Sequence, residues 1–324
     1  LDNDLHNYGS AVMYDAGKIA FIGGGNTPTQ NISLLDLNDA SPQWSYGANT
    51  MAQPRRQNDV TILADGTILI TGGSSSTGWN DPNGVIPTAE IFDPVTEQVT
   101  QVAAASSVYR GYHSTATLLP DGSVLVTGGD HDHNGAGPFV SNSNAEIYEP
   151  AYMHNGSRPT ITSAPDAVRY GETFYVETPD AANIDRALMV VPGSTTHSQN
   201  WSQRANRLDV TQTTGGVEIT LTSNSNEAPP GDYMLFLIDS NGIPSIAKFV
   251  RAEFGLPGDF DFNNTVDGLD LLAWQNDPTL GKLSDWQSNY GTSASVATVP
   301  EPSPAVLAVG LLSALGISAA RRRH

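Results

Sequence analysis

One strand pattern occurs three times in the first 153 residues, as a short apolar run that contains β-branched residues. Each copy ends in glycines: IAFIGGG (19–25), ILITGG (68–73) and VLVTGG (124–129). In each unit a short alternating strand and a turn come before the β-branched run, and the glycines end it, as expected for β-strands. The turn sequences Ala64–Asp65–Gly66 and Pro120–Asp121–Gly122 precede the second and third copies. The pattern therefore predicts antiparallel meanders joined by tight turns.

The copies are spaced like the blades of a β-propeller. An apolar pair before an acidic residue recurs, so that Asp93 follows Asp36 by 57 residues and Glu149 follows Asp93 by 56. This period is close to that of kelch-type propeller blades. Propellers close with about four to eight blades. Residues 1–153 are therefore predicted to form the last two to three blades of a larger propeller.

From residue 157 to residue 254 the pattern changes to short strands without the glycine pairs. Thr173–Thr178, Val217–Thr222 and Tyr233–Ile238 are rich in β-branched and aromatic residues, and Pro- and Gly-containing turns separate them. About 100 residues with several such strands indicate an immunoglobulin-like β-sandwich. We therefore expect a second, separate β domain.

Composition excludes several classes of function. The 324 residues include 34 acidic and 15 basic side chains, giving a formal charge of −19, and 39% are hydrophobic. This composition is globular, and its acidic excess argues against a nucleic-acid binder, which needs clustered Lys and Arg. The chain has no Cys and so provides no disulfide, thiolate nucleophile or Cys-ligated metal site. Because it begins at Leu1, we expect it to be part of a longer gene product.

Oxygen-bearing groups recur at fixed spacing within residues 258–291. They occupy positions 1, 3, 5, 7, 9 and 12 of a twelve-residue loop: Asp259, Asp261, Asn263, Thr265 (its carbonyl), Asp267 and Asp270. That spacing wraps a hard cation in oxygen ligands and predicts one calcium ion. An aspartate at position 12 is typical of dockerin loops, so the segment resembles a type I dockerin repeat, which implies a cohesin-like partner or a spacer role. An acidic turn without metal is the alternative.

An uncharged apolar run, AVLAVGLLSALGISAA, occupies residues 305–320 between Pro300–Glu301–Pro302 and three arginines at 321–323. As a helix it would be about 24 Å long, short of the roughly 30 Å hydrocarbon core. The order of these features resembles the PEP-CTERM sorting signal of exported bacterial proteins. The resemblance implies an exosortase-type processing enzyme, transient membrane association of residues 300–324 and an extracellular or cell-surface location. A plain hydrophobic anchor is the alternative.

The predicted fold class is therefore mainly β, with two short additions at the C-terminal end. A partial kelch-type propeller (1–153) is followed by an immunoglobulin-like domain (157–254). A small helical calcium-loop module (258–291) and a hydrophobic C-terminal helix (300–324) complete the predicted organisation.

Four motifs, taken together, resemble one family. They occur in the same order across both β domains: RGYHSTATLLPDG (110–122), RPTI (158–161), TTHSQN (195–200) and PPGDYMLFLIDSNGIPS (229–245). Over about residues 10–253 the chain is similar to the C-terminal half of galactose oxidase and glyoxal oxidase. The resemblance implies a mononuclear copper radical oxidase, built from a seven-bladed propeller and an early-set domain. Such enzymes oxidise primary alcohols or aldehydes and reduce O2 to H2O2.

The resemblance also implies roles for three residues. Tyr112 would be an axial copper ligand and the acceptor of the substrate's hydroxyl proton, and His113 and His197 would be equatorial ligands. Imidazole nitrogen and anionic oxygen suit copper(II). Neighbouring residues of a regular strand point to opposite faces, so Tyr112 and His113 can meet one metal only from an irregular segment.

The absence of Cys bears directly on this expectation. The family's second oxidising equivalent comes from a tyrosine bonded to a cysteine sulfur in earlier blades, and this Cys-Tyr radical cofactor is not encoded in the chain. Either the chain is a fragment of an oxidase or its lineage has lost the cofactor. The competing function is a non-catalytic surface protein whose propeller and sandwich bind polysaccharide.

Weaker candidates lie nearby in the sequence. His131 and His133 would share one face of an extended segment, as metal ligands or as part of a polar rim. The run Arg55–Gln57 is expected either to bind a substrate hydroxyl or carboxylate or to form surface salt bridges. Three tryptophans, Trp44, Trp79 and Trp201, are expected to stack on a sugar or to pack within a blade.

Overall fold

The computed structural model describes residues 7–293 apart from 78, 107, 132–137, 262 and 264. The chain divides into two compact units, Leu1–Phe254 and Gly255–His324, and each is described by itself. The predicted sorting segment at 300–324 lies outside the described residues. Among the described residues, no helix is long and apolar enough to cross a membrane.

The first unit begins with three antiparallel sheets that correspond to the three copies of the repeat. The first blade contains β1 (Ser10–Asp15), β2 (Lys18–Ile22), β3 (Ile32–Asp36) and β4 (Ser45–Tyr46). The second contains β5 (Arg56–Ile62), β6 (Ile68–Ser74), β7 (Thr88–Asp93) and β8 (Gln98–Ala105). The third contains β9 (Ser114–Leu118), β10 (Val124–Gly128) and β13 (Ala145–Tyr148). Between β10 and β13 the chain forms a separate short pair, β11 (Asp130–His131) and β12 (Val140–Ser141). The glycine-terminated runs are the second strands, β2, β6 and β10.

The hairpin turns follow from their sequences. In the second blade the Asp65 carboxylate accepts hydrogen bonds from the backbone N–H and hydroxyl of Thr67, at 2.9 and 2.7 Å. Asp121 and Ser123 repeat both contacts in the third blade, also at 2.9 and 2.7 Å. The glycine between them has a positive φ in each case, 87° at Gly66 and 88° at Gly122. A side chain there would be strained, which explains the Asp-Gly signal.

The second β domain is one continuous hydrogen-bonded sheet in the order β14-β22-β21-β16-β19-β20-β15. Its strands are β14 (Ala167–Arg169), β15 (Thr173–Glu177), β16 (Ile184–Val190), β19 (Ala205–Thr213), β20 (Gly216–Thr220), β21 (Gly231–Asp239) and β22 (Lys248–Glu253). A separate hairpin, β17 (Ser194–Thr196) and β18 (Gln199–Trp201), projects between β16 and β19. The β19 strand pairs with β16 through its first half and with β20 through its second. The immunoglobulin-like topology itself stays a prediction.

The apolar run of β21 is explained by burial on both faces. Phe236 and Ile238 belong to a core shared with the blades, whereas Leu235 and Leu237 belong to the core of the second domain. A strand covered on both sides needs apolar residues at every position. The two β domains of the first unit therefore share one hydrophobic core at their junction.

Arg158 fixes the connection between the two β domains. Its guanidinium donates to the carbonyls of Asp121 in the third blade and of Pro244 and Ser245 in the second domain, at 2.5, 2.8 and 2.6 Å. The predicted linker therefore contains a specific clamp. The clamp joins the Asp121 turn of the third blade to the loop that follows β21.

The second unit contains two short helices after the acidic loop, α1 (Gly268–Asn276) and α2 (Leu283–Asn289). Asp267 caps α1 in a capping box with Asp270. The indole N–H of Trp286 donates to the Asp267 carbonyl at 2.6 Å, and Phe260 and Val266 are buried in this small unit.

Candidate functional site

Tyr112 and His113 lie in a turn immediately before β9 and not within a strand. His113 has a φ of 64°, in the left-handed region that non-glycine residues seldom adopt. The turn is held to the third blade because Gly129 and Asp130 donate backbone hydrogen bonds to the carbonyls of His113 and Tyr112, at 3.2 and 3.0 Å. The irregular segment that the sequence required is present, and it brings the two rings to a centroid distance of 4.0 Å.

His197 lies at the tip of the β17–β18 hairpin, in a two-residue turn with Ser198. Both turn residues have positive φ, 58° and 60°, as in the mirror-image turns that favour tight hairpins. Gly and Asn are the usual residues at such positions, so the His-Ser pair is strained. Strain of this kind persists only where surrounding contacts enforce it, and it concentrates at functional sites.

The hairpin is anchored to the innermost strands of all three blades. The Ser198 hydroxyl donates to Gly111 O at 2.6 Å, and the Ser10 hydroxyl of the first blade donates to Ser198 O at 2.9 Å. Just beyond the hairpin, the Gln203 amide accepts from Ile62 N at 2.5 Å and donates to Val60 O at 2.9 Å in β5. These bonds pair backbone groups that would otherwise lie buried without partners.

The rings of Tyr112, His113 and His197 form one cluster although they come from two domains. The His197 centroid lies 5.3 Å from that of Tyr112 and 4.7 Å from that of His113. His113 Nδ1 contacts Asp130 and His197 Nδ1 contacts the Thr196 hydroxyl, at 2.5 and 2.7 Å. Nε2 of each imidazole is then the ring nitrogen that remains for a metal. Two imidazole nitrogens and a phenol oxygen are a donor set that fits copper(II).

An aromatic rim adjoins the cluster. The Trp79 ring lies 4.5 Å from that of Tyr112 and 4.9 Å from that of Tyr8, and the Arg56 guanidinium lies 4.6 Å from the Tyr8 ring. Gln57 and Asn80, beside these residues in sequence, also have positive φ. The unusual backbone conformations are therefore concentrated around the ring cluster.

Arg55 differs from the sequence expectation. It is fully buried, and its guanidinium contacts Glu90 at 2.5 Å, so it neither binds at an open face nor forms a surface salt bridge. Arg56 is also buried but lies at the rim. His131 packs edge-on against Tyr109 at 5.4 Å, whereas His133 lies outside the described residues.

Sequence reasoning missed Asp59. This residue of β5 is 2% exposed, and its carboxylate accepts a hydrogen bond from the hydroxyl of Ser114, the residue after His113. Burial raises the pKa of Asp59 to about 7, although the Ser114 hydrogen bond and the Arg110 charge act in the opposite direction. The only signal in the sequence is a polar run, RRQND, at the start of a strand.

In the second unit three predicted calcium ligands come together. Carboxylate oxygens of Asp259, Asp261 and Asp270 lie within 4.8 Å of one another. Desolvation and the neighbouring Asp270 raise the pKa of Asp261, as expected where carboxylates share a small volume. Desolvation also opposes ionisation of Asp270, but backbone hydrogen bonds from Asp261, Asp267 and Phe260 outweigh it and lower its pKa.

The remaining predicted calcium ligands make other contacts. The Asn263 side chain accepts from Thr265 N at 2.8 Å, and the Asp267 side chain accepts from Leu269 N at 2.7 Å at the start of α1. Thr265 pairs with Ser293 in an isolated antiparallel bridge. The loop is thus folded by its own hydrogen bonds around the three carboxylates.

Both β domains of the first unit match known protein families. Residues 15–152 match the glyoxal oxidase N-terminus, and residues 158–252 match the galactose oxidase-like early set domain. Galactose oxidase of Gibberella zeae is 33% identical over 261 residues, which cover 75% of this chain and 37% of that protein. An aldehyde oxidase of Arabidopsis thaliana is 31% identical over 246 residues, covering 68% of this chain and 39% of that protein.

A solved structure agrees with these matches. A fungal alcohol oxidase of the AA5 family, in complex with copper, superposes with a TM-score of 0.70 and 29% identity, over 78% of this chain and 55% of that one. The chain spans less than half the length of the two curated relatives. The two family matches together show that the chain contains a galactose oxidase-like N-terminal-type domain followed by an early-set domain.

Proposed function

We propose that the chain is the C-terminal part of an exported copper radical oxidase-like protein that oxidises primary alcohols or aldehydes, with O2 reduced to H2O2. The observation that carries the proposal is the convergence of Tyr112, His113 and His197. A hairpin of the early-set domain crosses three blades to bring His197 to the other two rings. The copper complex of the fungal relative supports the same metal.

Each side chain of the cluster has its own role in the proposed reaction. His113 and His197 would hold copper through Nε2, and Tyr112 through its phenol oxygen. When bound, copper supplies the one-electron redox partner and polarises the substrate's hydroxyl oxygen. Tyr112 accepts the hydroxyl proton, the role that the family resemblance gives it. Trp79 packs against the Tyr112 ring at a tilt of 60°.

The Cys-Tyr radical cofactor has no counterpart in the chain, which contains no Cys. Oxidation by two electrons therefore needs residues from the remainder of the oxidase. The missing cofactor is also the observation that favours the second candidate function, a non-catalytic protein that binds polysaccharide through the aromatic rim of Tyr8 and Trp79. The proposed substrate class is accordingly a small alcohol or aldehyde or the hydroxyls of a carbohydrate.

The copper assignment predicts one bound Cu(II) per chain and a large loss of affinity in His197→Ala. Removal of one of two imidazole donors weakens a copper site, whereas loss of a distant imidazole does not. Competitive titration with Cu(II) measures the affinity. His154→Ala is the matched control, because His154 is exposed on the linker and contacts Glu149. Equal affinity of wild type and His197→Ala would contradict the assignment.

The catalytic part of the proposal is tested on the full-length gene product. The oxidase function requires a Cys in the coding sequence upstream of Leu1, with a suitably placed Tyr in the following blade. H2O2 release from primary alcohols or aldehydes should then depend on Tyr112 and be lost in Tyr112→Phe. Absence of that Cys would favour the polysaccharide-binding function.

The second unit and the tail receive separate proposals. We propose that Asp259, Asp261 and Asp270 bind calcium and that the dockerin-like module attaches the protein to a cohesin-like partner or acts as a spacer. We propose that the protein is exported and that residues 300–324 are its sorting signal, with transient membrane association and cleavage by an exosortase-type enzyme. Replacement of Pro300–Glu301–Pro302 by alanines should block cleavage in the native host, as followed by the mass of the released protein.

A further inference from the structure

A buried series of hydrogen bonds lies behind His113. Nδ1 of His113 contacts Asp130 Oδ2 at 2.5 Å, and the other carboxylate oxygen accepts from Asn80 Nδ2 at 3.0 Å. The Asn80 carbonyl in turn accepts from the Tyr109 hydroxyl at 3.1 Å. The series links the turn of His113 in the third blade to the Trp79–Asn80 loop of the second.

Most members of this hydrogen-bond series are buried. Asp130, Asn80 and Tyr109 are 7%, 3% and 6% exposed, whereas the His113 side chain is 46% exposed. Groups buried in this way hold their geometry because an unmade hydrogen bond is costly. The Asp130, Asn80 and Tyr109 side chains are therefore fixed inside the protein, and the His113 imidazole is the member of the series that solvent reaches.

The direction of each proton follows from the chemistry of the groups. An ionised carboxylate only accepts hydrogen bonds, so His113 must carry its proton on Nδ1 and Asn80 must present its NH2 to Asp130. The Asn80 carbonyl oxygen already accepts from the Tyr109 hydroxyl, which leaves the Asn80 NH2 to face Asp130. Nε2 of His113 is left as the unprotonated nitrogen.

The backbone reinforces the arrangement. Asp130 N donates to Tyr112 O at 3.0 Å, so Asp130 is joined to the turn through both its side chain and its main chain. Asn80 has a φ of 47°. The Asn142 side chain donates to the main-chain carbonyl of Tyr109 at 3.1 Å and so fixes the backbone of that residue. The carboxylate thus has one position relative to the imidazole.

We propose that Asp130 is a positioning residue for the proposed copper site: supported by Asn80 and Tyr109, it fixes His113 as the Nδ1–H tautomer and directs Nε2 to the metal. The inference rests on the proposed function only in naming copper as the metal. Carboxylates that orient ligating imidazoles in this way also increase the basicity of the ligand. Because Asn80 follows Trp79 in the chain, the Asn80–Asp130 hydrogen bond also connects the loop that contains Trp79 to the residues that position His113.

The first test measures the affinity of the full chain for Cu(II) by competitive titration. Asp130→Asn keeps the size of the side chain and removes its charge, so affinity should fall by about 10- to 100-fold. Asn80→Ala should produce a smaller loss, since Asp130 keeps its main-chain contact. In a His113→Ala background, Asp130→Asn should change affinity by less than about twofold, because its effect passes through His113. An equal loss in both backgrounds would show a merely structural role and overturn the proposal.

The second test needs no metal. Long-range ¹H–¹⁵N NMR spectra of the metal-free chain should report the Nδ1–H tautomer for His113 and a mixture of tautomers in Asp130→Ala. Glu149→Gln is the matched control, because Glu149 contacts His154 at 3.1 Å in an exposed pair away from the ring cluster. It should change neither the His113 tautomer nor Cu(II) affinity. An Nε2–H tautomer for His113 in the wild type would overturn the proposal.

The outcomes of these tests distinguish a failure of the positioning role of Asp130 from a failure of the copper assignment. If His113→Ala leaves Cu(II) affinity unchanged, the copper assignment is wrong and the inference falls with it. If His113→Ala lowers affinity and Asp130→Asn does not, the copper assignment stands and only the positioning role is overturned. The electron paramagnetic resonance spectrum of the copper-loaded chain should change in Asp130→Asn and stay unchanged in Glu149→Gln.

Discussion

Asp59 is a carboxylate buried at the innermost strand of the second blade, and its environment favours the protonated form. It contacts the Ser114 hydroxyl, and one carboxylate oxygen has no hydrogen-bond partner in the structure. Burial raises its pKa to about 7, against an ordinary value of 3.8. Ionisation of Asp59 therefore disfavours the folded state.

The pKa of Asp59 predicts a fall in stability with rising pH. A raised pKa means that the folded chain binds this proton more tightly, so the free energy of unfolding should decrease from about pH 4 to about pH 7. At 1.36 kcal/mol per pKa unit the loss is at most about 4 kcal/mol. Asp59→Asn should remove this part of the pH dependence, measured by urea unfolding across that range.

The control for Asp59 is an exposed aspartate. Asp232 is 62% exposed and pairs with Arg251 at 3.6 Å, so Asp232→Asn should retain the wild-type pH dependence. If Asp59→Asn also retained it, burial of Asp59 in the folded chain would be contradicted.

At the scale of elements, two successive blades contain equivalent ion pairs with different exposure. Arg55 contacts Glu90 at 2.5 Å, and both side chains are almost fully buried. Arg110 contacts Glu146 at 2.9 Å, but the Glu146 side chain is 37% exposed. Each arginine also donates to two backbone carbonyls. The two blades therefore contain the same arginine–glutamate contact, fully buried in the second blade and partly exposed to water in the third.

Arg55→Met should destabilise the protein more than Arg110→Met. The first change leaves the Glu90 carboxylate buried without its charge partner, which typically costs about 3–5 kcal/mol. The second leaves Glu146 in contact with water, so its charge stays solvated. The free energy of unfolding, obtained from urea titrations of both variants, measures the difference. An equal or larger loss in Arg110→Met would contradict the assigned burial.

At the scale of the whole molecule, the two proposed metal sites use different chemistry in different units. The first unit offers imidazole and phenol groups, which suit copper, and the second offers three clustered carboxylates, which suit calcium. The charge of −19 is therefore in part the charge of a proposed metal site.

Calcium should stabilise the second unit. At 100 times the Kd, Ca²⁺ should raise its free energy of unfolding by about 2.7 kcal/mol and change the fluorescence of Trp274, whose indole N–H donates to Gly281 O at 3.0 Å. Asp259→Ala should abolish both effects. Asp277→Asn, which alters an exposed aspartate outside the carboxylate cluster, should abolish neither. A response that persists in Asp259→Ala would count against the site.

Much of this architecture could be predicted from local sequence signals. The glycine-terminated runs and the Asp-Gly turns located β2, β6 and β10, because they depend on contacts within a few residues. The pair Tyr112–His113 was singled out by a motif, and its irregular backbone followed from strand geometry. Asp59 and the burial of Arg55 were not predictable in this way, because both depend on which strand lies innermost in its blade.

The sequence by itself determined the repeat, the meander pattern of the blades and the acidic loop, since periodicity and spacing encode them directly. The family resemblance of its motifs supplied Tyr112, His113 and His197 as candidate copper ligands. Only the tertiary structure decided that His197 meets Tyr112 and His113, that Asp130 and Asn80 support His113, and that Asp59 lies behind the turn. These contacts join residues 17 to 85 positions apart. The His197 contacts exist because a hairpin of the second domain lies against the blades. The contacts of Asp130, Asn80 and Asp59 exist because segments of the second and third blades pack together, and local patterns contain neither relationship.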